Sequence, residues 1–380
     1  MPYFDNAATT FPKPEGVVSA VTECMQEYAA NPGRSGHAMA LKMDRAIYET
    51  RERLTKFVGG DDPLRLIFTY NCTDSLNLAI HGILKEGAHV VTTSMEHNSV
   101  NRPLMEHKNR GDIELTIVDA DKEGRVDSRA LLSAVRDDTA LVCMTHMSNL
   151  TGTIQPVEEV GRALKDTKTV FLVDAAQSLG VLPVDISFMG IDLLCFPGHK
   201  GLYGPMGTGG LYVGKEILLH PIKQGGTGSF SQDFVQPELL PDALESGTPN
   251  GPGIIGLGEG LAFLEQTGIG AIHQKEMALF HRMKDGLHGV EGITLYGPLD
   301  ERQGPVLSLN IEGMDSAEVA WHLDEEYEIQ VRPGLHCAPL AHRTLGTIDT
   351  GAVRFSFSYF NTEEEVDLAV SALRAMAGER

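Results

Sequence analysis

No apolar stretch in this sequence approaches the ~20 residues needed to cross a bilayer. The first 30 residues hold no basic segment leading into an apolar run and a small-residue cleavage site. Membrane insertion and export are therefore not expected, and a cytoplasmic protein is. Positive charge is also scarce: 31 Lys and Arg stand against 52 Asp and Glu, a net charge of −21. That balance argues against a nucleic-acid partner, whose phosphates are held by clustered basic side chains. Cysteine is sparse. The five residues Cys24, Cys72, Cys143, Cys195 and Cys337 form no CxxC pair and no Cys/His spacing of a zinc site, so neither a metal site nor a disulfide framework is expected. Free thiols in a reduced compartment fit better. Internal repeats and low-complexity segments are absent too.

What is present is an ordinary globular composition, with 42% hydrophobic and 22% charged residues, in a chain of 380 residues, long enough for two domains. Between about residues 64 and 213, β-branched apolar runs alternate with stretches of helical period: LRLIF, HVVTTS, IELTIV, TALVCMTHM, TVFLVDAA, IDLLCF and GGLYVG. This predicts an α/β fold with a largely parallel sheet, whose ligands lie beyond the carboxyl ends of the strands. After Gly214 the Gly-rich KQGGTGSFSQD and ESGTPNGPG read as loops before an apolar helix from about Ile254. Beyond about residue 266 come a helix, the strand VLSLNIEG, a helix around SAEVAWHLDEEY, the loop VRPGLHCAPLAHR, the strand AVRFSFSYF and a final amphipathic helix. These predict a smaller α+β domain.

Several residues just after the predicted strands can carry chemistry. Lys200 in FPGHKGLYGP would alone read as a solvated surface lysine. Its place after a strand, among Gly, His and Tyr, instead suggests a shielded amine with the lowered pKa that a Schiff base requires. Asp174 ends VFLVD, where a carboxylate could pair with a pyridinium nitrogen; helix capping is its plainer role. Gln177, three residues on, could reach the phenolic oxygen of the same ring. Thr73 lies near the helix start in FTYNCTDSLNLAIHGIL, where free amides and the helix dipole favour a phosphate. His97 in SMEHNSV could stack on a flat ring.

Taken together, Thr73, His97, Asn149, Asp174, Gln177, His199 and Lys200 follow predicted strands in that order. With YFDNAATT, SNLTGTIQPV, ESGTPN and RPGLHCAP, this pattern resembles the class V aminotransferase superfamily and, within it, the cysteine desulfurase and selenocysteine lyase family. The resemblance runs through nearly the whole chain. It implies the type I fold of pyridoxal-phosphate (PLP) transferases. A large domain of residues 13–261 would hold a mostly parallel seven-stranded sheet, and residues 1–12 with 262–380 would form the small domain. Lys200 would hold the cofactor covalently, Asp174 would face the pyridine nitrogen, Gln177 the phenolic oxygen and His97 the ring. Thr73 and His199 would bind the phosphate together with Thr248 of ESGTPN, contributed across a homodimer interface. Asn149 and Arg354 would bind the substrate carboxylate, with Arg332 and His37 nearby.

Cys337 separates desulfurases from the rest of this superfamily. Cys143 and Cys195 sit inside strands as small hydrophobes, whereas Cys337 lies in a Gly- and Pro-bearing loop after Arg332 and His336, where positive charge would favour a nucleophilic thiolate. Its short loop resembles the branch with bacterial sulfur-mobilisation desulfurases. The resemblance implies conversion of L-cysteine to L-alanine, with a persulfide on Cys337 passed to an acceptor protein or thiol. The α-proton would go to Lys200 or His97. Selenocysteine lyase activity, another PLP lyase or aminotransferase reaction, and a non-catalytic binding protein of the same fold are the alternatives. Three departures from the family pattern stand out. Pro197 replaces the usual Ser before Gly-His-Lys, Gly201 is an insertion after Lys200, and Cys72 stands where a second Thr is usual.

Overall fold

The computed structural model describes residues 1–33, 36–229 and 231–378. Arg34 and Ser35 of GRSGHAM, Phe230 of the Gly-rich stretch and the last two residues of the expected small domain lie outside the described residues. The seven apolar runs are the seven strands of one sheet: β1 (Leu66–Thr69), β2 (Ala88–Thr93), β3 (Ile113–Val118), β4 (Thr139–Thr145), β5 (Val170–Asp174), β6 (Leu193–Pro197) and β7 (Gly209–Val213). Their order is β1-β7-β6-β5-β4-β2-β3, and only β7 runs antiparallel to its neighbours.

The near-continuous apolarity of the central strands has a direct cause, since a parallel sheet is covered on both faces. Successive side chains alternate between two cores. Phe171, Val173, Leu194 and Phe196 join one cluster, while Val170, Leu172, Leu193 and Cys195 join the other. Cys143 and Cys195 are fully buried in the second cluster, as small hydrophobes. Each fully buried large apolar side chain contributes about 1.5–3 kcal/mol.

Helices α1 (Glu15–Glu27) and α2 (Ala38–Phe57) precede the sheet. The crossovers carry α3 (Cys72–Ile83), α4 (Asn98–Arg110), α5 (Ser128–Ala134), α6 (Val157–Leu164) and the short α7 (Ile186–Met189). α8 (Gly251–Thr267), the expected apolar helix, starts three residues earlier than Ile254 because the Asn250 side chain caps it by accepting from the Gly253 amide. α9 (Ile269–Leu287) leads into a second, antiparallel sheet of order β10-β11-β9-β8, made of β8 (Ile293–Tyr296), β9 (Val306–Ile311), β10 (Arg332–Gly334) and β11 (Ala352–Ser356). α10 (Ser316–Tyr327), α11 (Pro339–Leu345) and α12 (Glu363–Gly378) complete it. The segment VRPGLHCAPLAHR, expected as a loop, thus contains a three-residue strand, a tight turn and the start of a seven-residue helix that runs on to Leu345.

The N-terminal segment belongs with the second sheet. Tyr3 bridges to Gln330 and Asp5 to Ser356, and Phe4 is buried among Leu307, Phe355 and Phe357. It then runs back to the large sheet, where Thr10 donates its amide to the His199 carbonyl at 3.1 Å and its hydroxyl to the Lys200 carbonyl at 2.9 Å.

Candidate active site

Parallel β-α connections deliver the residues that follow each strand to one edge of the sheet. After β1, Asn71 caps α3 by accepting from the Asp74 amide at 2.9 Å. The first-turn amides of Cys72 and Thr73 have no intrahelical partner in helix geometry. The Thr73 hydroxyl pairs with that of Ser99 at 2.7 Å. After β2, His97 caps α4: its Nδ1 accepts from the Ser99 amide at 3.1 Å and lies 2.9 Å from the Ser99 hydroxyl. An acceptor at Nδ1 puts the proton of the neutral ring on Nε2. Burial first, then Lys200 and nearby arginines, lower this histidine to about 4, so the ring is uncharged at neutral pH.

Asp174 ends β5 in register with Thr145 and Cys195. Its Oδ1 accepts from the Ala176 amide at 2.9 Å and from the Cys72 thiol at 3.4 Å. Burial raises its pKa, against the pull of the Ala176 amide and Lys200, so the carboxyl retains a proton more readily than usual until a cation is brought to it. Lys200 follows β6 in a turn closed by the Tyr203 amide on the Lys200 carbonyl at 2.8 Å. Burial lowers the pKa of its amine, with Cys72 and Asp174 opposing. Gly201 is required by close packing, because a Cβ there would lie 2.5 Å from the Leu179 carbonyl oxygen. The Nδ1 of His199 is buried without a partner. Gln177 donates to the Ala7 carbonyl at 3.0 Å.

The second sheet supplies the opposite wall, where Arg332 of β10 and Arg354 of β11 are register partners. Arg354 is buried, bonds Asp5 at 2.7 Å and the Asn149 carbonyl at 2.9 Å, and keeps its Nε unpartnered. Asn149 spends its amide donor on the His336 carbonyl at 2.7 Å. Arg332 Nη2 stands 3.8 Å from Cys337 Sγ, and the half-buried Cys337 is tied to α4 by the Asn98 amide, 2.7 Å from its carbonyl oxygen. His336 does not supply the positive charge expected of it. Burial, chiefly, lowers its pKa to about 2, which leaves Arg332 as the cation at the thiol.

These groups enclose a cavity of about 210 Å³ lined by Thr73, His97, Asn149, Asp174, Gln177, His199, Lys200, Arg332 and Arg354, among others. Cys337 is not in its wall but touches Arg332, which is. Two expected residues lie elsewhere on the same chain. His37 is exposed and caps α2 by accepting from the Ala40 amide at 3.3 Å, and Thr248 is exposed with its carbonyl receiving the Tyr70 hydroxyl at 3.3 Å. Two residues had no role in the sequence: Cys72, named there only as a departure from the family pattern, whose thiol meets Asp174, and Ser99, which joins Thr73 to His97. A serine two residues after a capping histidine was the available signal for Ser99; the contact of Cys72 with Asp174, 102 residues on, had no local signal. The cavity suits a flat anionic ring. It offers a buried carboxyl, a helix N-terminus with a hydroxyl, an unpaired imidazole nitrogen and a buried amine.

Comparison with known proteins points the same way. The family model for aminotransferase class-V matches residues 2–369. A probable cysteine desulfurase of Methanothermobacter thermautotrophicus is 38% identical over 99% of this chain and 94% of its own length, and one of Pyrococcus abyssi is 36% identical over 98% and 94%. Among solved structures, the apo cysteine desulfurase of Thermococcus onnurineus superposes with a TM-score of 0.94 at 34% identity, over 100% of this chain and 95% of that one. The S-sulfonic acid form of the Escherichia coli cysteine desulfurase CsdA gives 0.89 at 27% identity, over 99% and 94%.

Proposed function

This chain belongs to the class-V aminotransferase family, and we propose that it is a PLP-dependent cysteine desulfurase that takes sulfur from L-cysteine onto Cys337. The observation that carries this reading is the Cys337 thiol beside Arg332, on a turn bonded to the His97-capped helix, at the cavity that holds Lys200 and Asp174. When bound, PLP supplies an electron sink that makes the substrate's α-proton acidic.

The chain's own groups would do the rest. Asp174 would hold a proton at the ring nitrogen, its orientation fixed by Cys72 and the Ala176 amide. Thr73, the first turn of α3 and His199 Nδ1 suit the phosphate. The hydroxyl that Pro197 lacks has no replacement on β6 itself. His97 offers an uncharged face. Its Nδ1 is already an acceptor of the Ser99 amide, which favours Lys200 as the group that takes the α-proton. Arg354 and Arg332 suit the substrate carboxylate. Cys337 thiolate would then attack the substrate sulfur: the S–S bond forms as the Cβ–S bond breaks, and the electron pair left on carbon takes a proton to give alanine. Thr248, exposed and outside the lining of its own cavity, would complete the phosphate site of a second subunit in a homodimer. An acceptor protein or thiol would remove the sulfur, in a reducing, cytoplasmic setting suited to free thiols. The separate core around Phe4, β9 and β11 supports a second domain that takes in the N-terminal segment, although α8 runs on past residue 261 to Thr267 and Leu264 packs in the large core. Among the described residues no helix is long and apolar enough to cross a membrane.

The test is to incubate the purified protein with L-cysteine or L-selenocysteine and quantify alanine and sulfur on Cys337. Alanine with one extra sulfur on the Cys337 peptide supports the reading. Pyruvate with ammonia would make it a lyase, and alanine from selenocysteine alone a selenocysteine lyase.

A further inference from the structure

The turn that carries Cys337 is held against its backbone preferences. Gly334, His336 and Cys337 take φ of 98°, 49° and 56°, a region in which glycine is at ease and side-chain-bearing residues are not. Two such residues in succession persist only where their surroundings over-determine them. Part of the hold comes from the large sheet's side, through the Asn149 amide on the His336 carbonyl and the Asn98 amide on the Cys337 carbonyl, both at 2.7 Å.

The other part is a buried chain that the chemistry above does not use. The Thr347 hydroxyl lies 2.8 Å from His342 Nδ1. If it donates there, His342 carries its proton on Nε2, which points at His336 Nδ1 at 3.5 Å. His336 is then left with its proton on Nε2, donating to the Arg332 carbonyl at 3.0 Å. The two rings lie parallel within 11°, and all three residues are buried. Both histidines are uncharged at neutral pH, because burial lowers His342 to about 4 and His336 to about 2. The chain's last acceptor is the carbonyl of the same Arg332 whose guanidinium meets the thiol. Backbone and side chain of Arg332 thus tie the two ends of the turn together.

We propose that Thr347, His342 and His336 are positioning residues for the sulfur-accepting thiol, fixing the strained turn so that Cys337 Sγ stays beside Arg332 at the cavity. The proposal rests on the reading of Cys337 as the sulfur carrier. Of the three, only His336 reaches the wall of the cavity; Thr347 and His342 lie outside its lining.

Three variants of the PLP-loaded full chain test it: Thr347→Val, which is nearly isosteric but donates nothing; His342→Gln; and Thr347→Ser, which restores the hydroxyl. Hydrogen exchange without substrate should quicken by about tenfold or more in residues 332–338 of the first two and not elsewhere. With L-cysteine their kcat should fall by about ten- to a hundredfold while KM changes little, because thiol placement and not substrate binding is lost. Thr347→Ser should behave as wild type. Unchanged exchange and kcat in Thr347→Val and His342→Gln would overturn the proposal, and so would faster exchange spread over the whole second sheet, which would mean general packing. Absence of persulfide on wild-type Cys337 would sink the carrier reading alone, since the exchange comparison uses no substrate.

Discussion

Cys72 and Asp174 illustrate how much of this site depends on single contacts. Buried beside a thiol and one amide, the Asp174 carboxyl has its pKa pushed up by desolvation, so a cationic ring nitrogen is the partner that returns it to its charged form. Asp174→Asn should therefore leave PLP bound, as read by its absorbance, and reduce turnover by about 10²–10³-fold, the range for loss of one electrostatic contact to reacting charge. Near-native turnover would make Asp174 a structural residue only. Cys337→Ala tests the nucleophile. It removes the thiol and spares every group lining the cavity, so cysteine should still perturb the cofactor absorbance while alanine release falls by on the order of a hundredfold or more. Selenocysteine, with its weaker carbon bond, should be affected less. Alanine released from cysteine at the wild-type rate would remove Cys337 from the mechanism.

At the scale of elements, the seven strands of the large sheet were legible because a two-sided parallel sheet demands unbroken apolar runs, and the order of site residues was legible because each follows such a run. β8 and β10 were not. Four residues of ITLY and three of RPG are too short for periodicity to register, and RPG pairs only because β11 lies beside it. The contacts of Cys72, His342 and Thr347, and that of Ser99 with Thr73, join side chains whose partners no spacing rule predicts. α9 carries another such contact. Glu276 is buried, accepts the Tyr203 hydroxyl at 3.3 Å and keeps Oε2 unpartnered, and burial raises its pKa to about 8. The unfolded chain loses this proton near the ordinary 4.5, so between about pH 4.5 and 8 the unfolded state binds fewer protons than the native one. Stability must then fall as pH rises through that window. Glu276→Gln removes the titration. At pH 7.5 the variant should be the more stable by up to about 4 kcal/mol, and at pH 4.5 the two should converge. Equal melting temperatures across the range would show that Glu276 ionises normally.

At the scale of the molecule, the proposed phosphate contact from Thr248 makes cofactor binding and association one equilibrium. Thr248 is exposed on its own subunit, and α1 and α2 expose Val18, Met25, Met39, Leu41 and Tyr48, apolar surface that a second copy would cover. Against association stands a charge of −21 on each chain, a repulsion that salt screens. If the partner's Thr248 completes the site, PLP binds the dimer more tightly than the monomer, and linkage requires that PLP tighten the dimer by the same factor. A hydroxyl bonded to a charged phosphate contributes about 1.5–3 kcal/mol, so Thr248→Val should weaken PLP binding by about ten- to a hundredfold while the lining of its own cavity is unchanged. Sedimentation equilibrium should find that removing PLP raises the dimer dissociation constant of the wild type, that the rise shrinks in Thr248→Val, and that added salt tightens both dimers. A wild-type monomer that keeps PLP with undiminished affinity would leave Thr248 without a role across the interface.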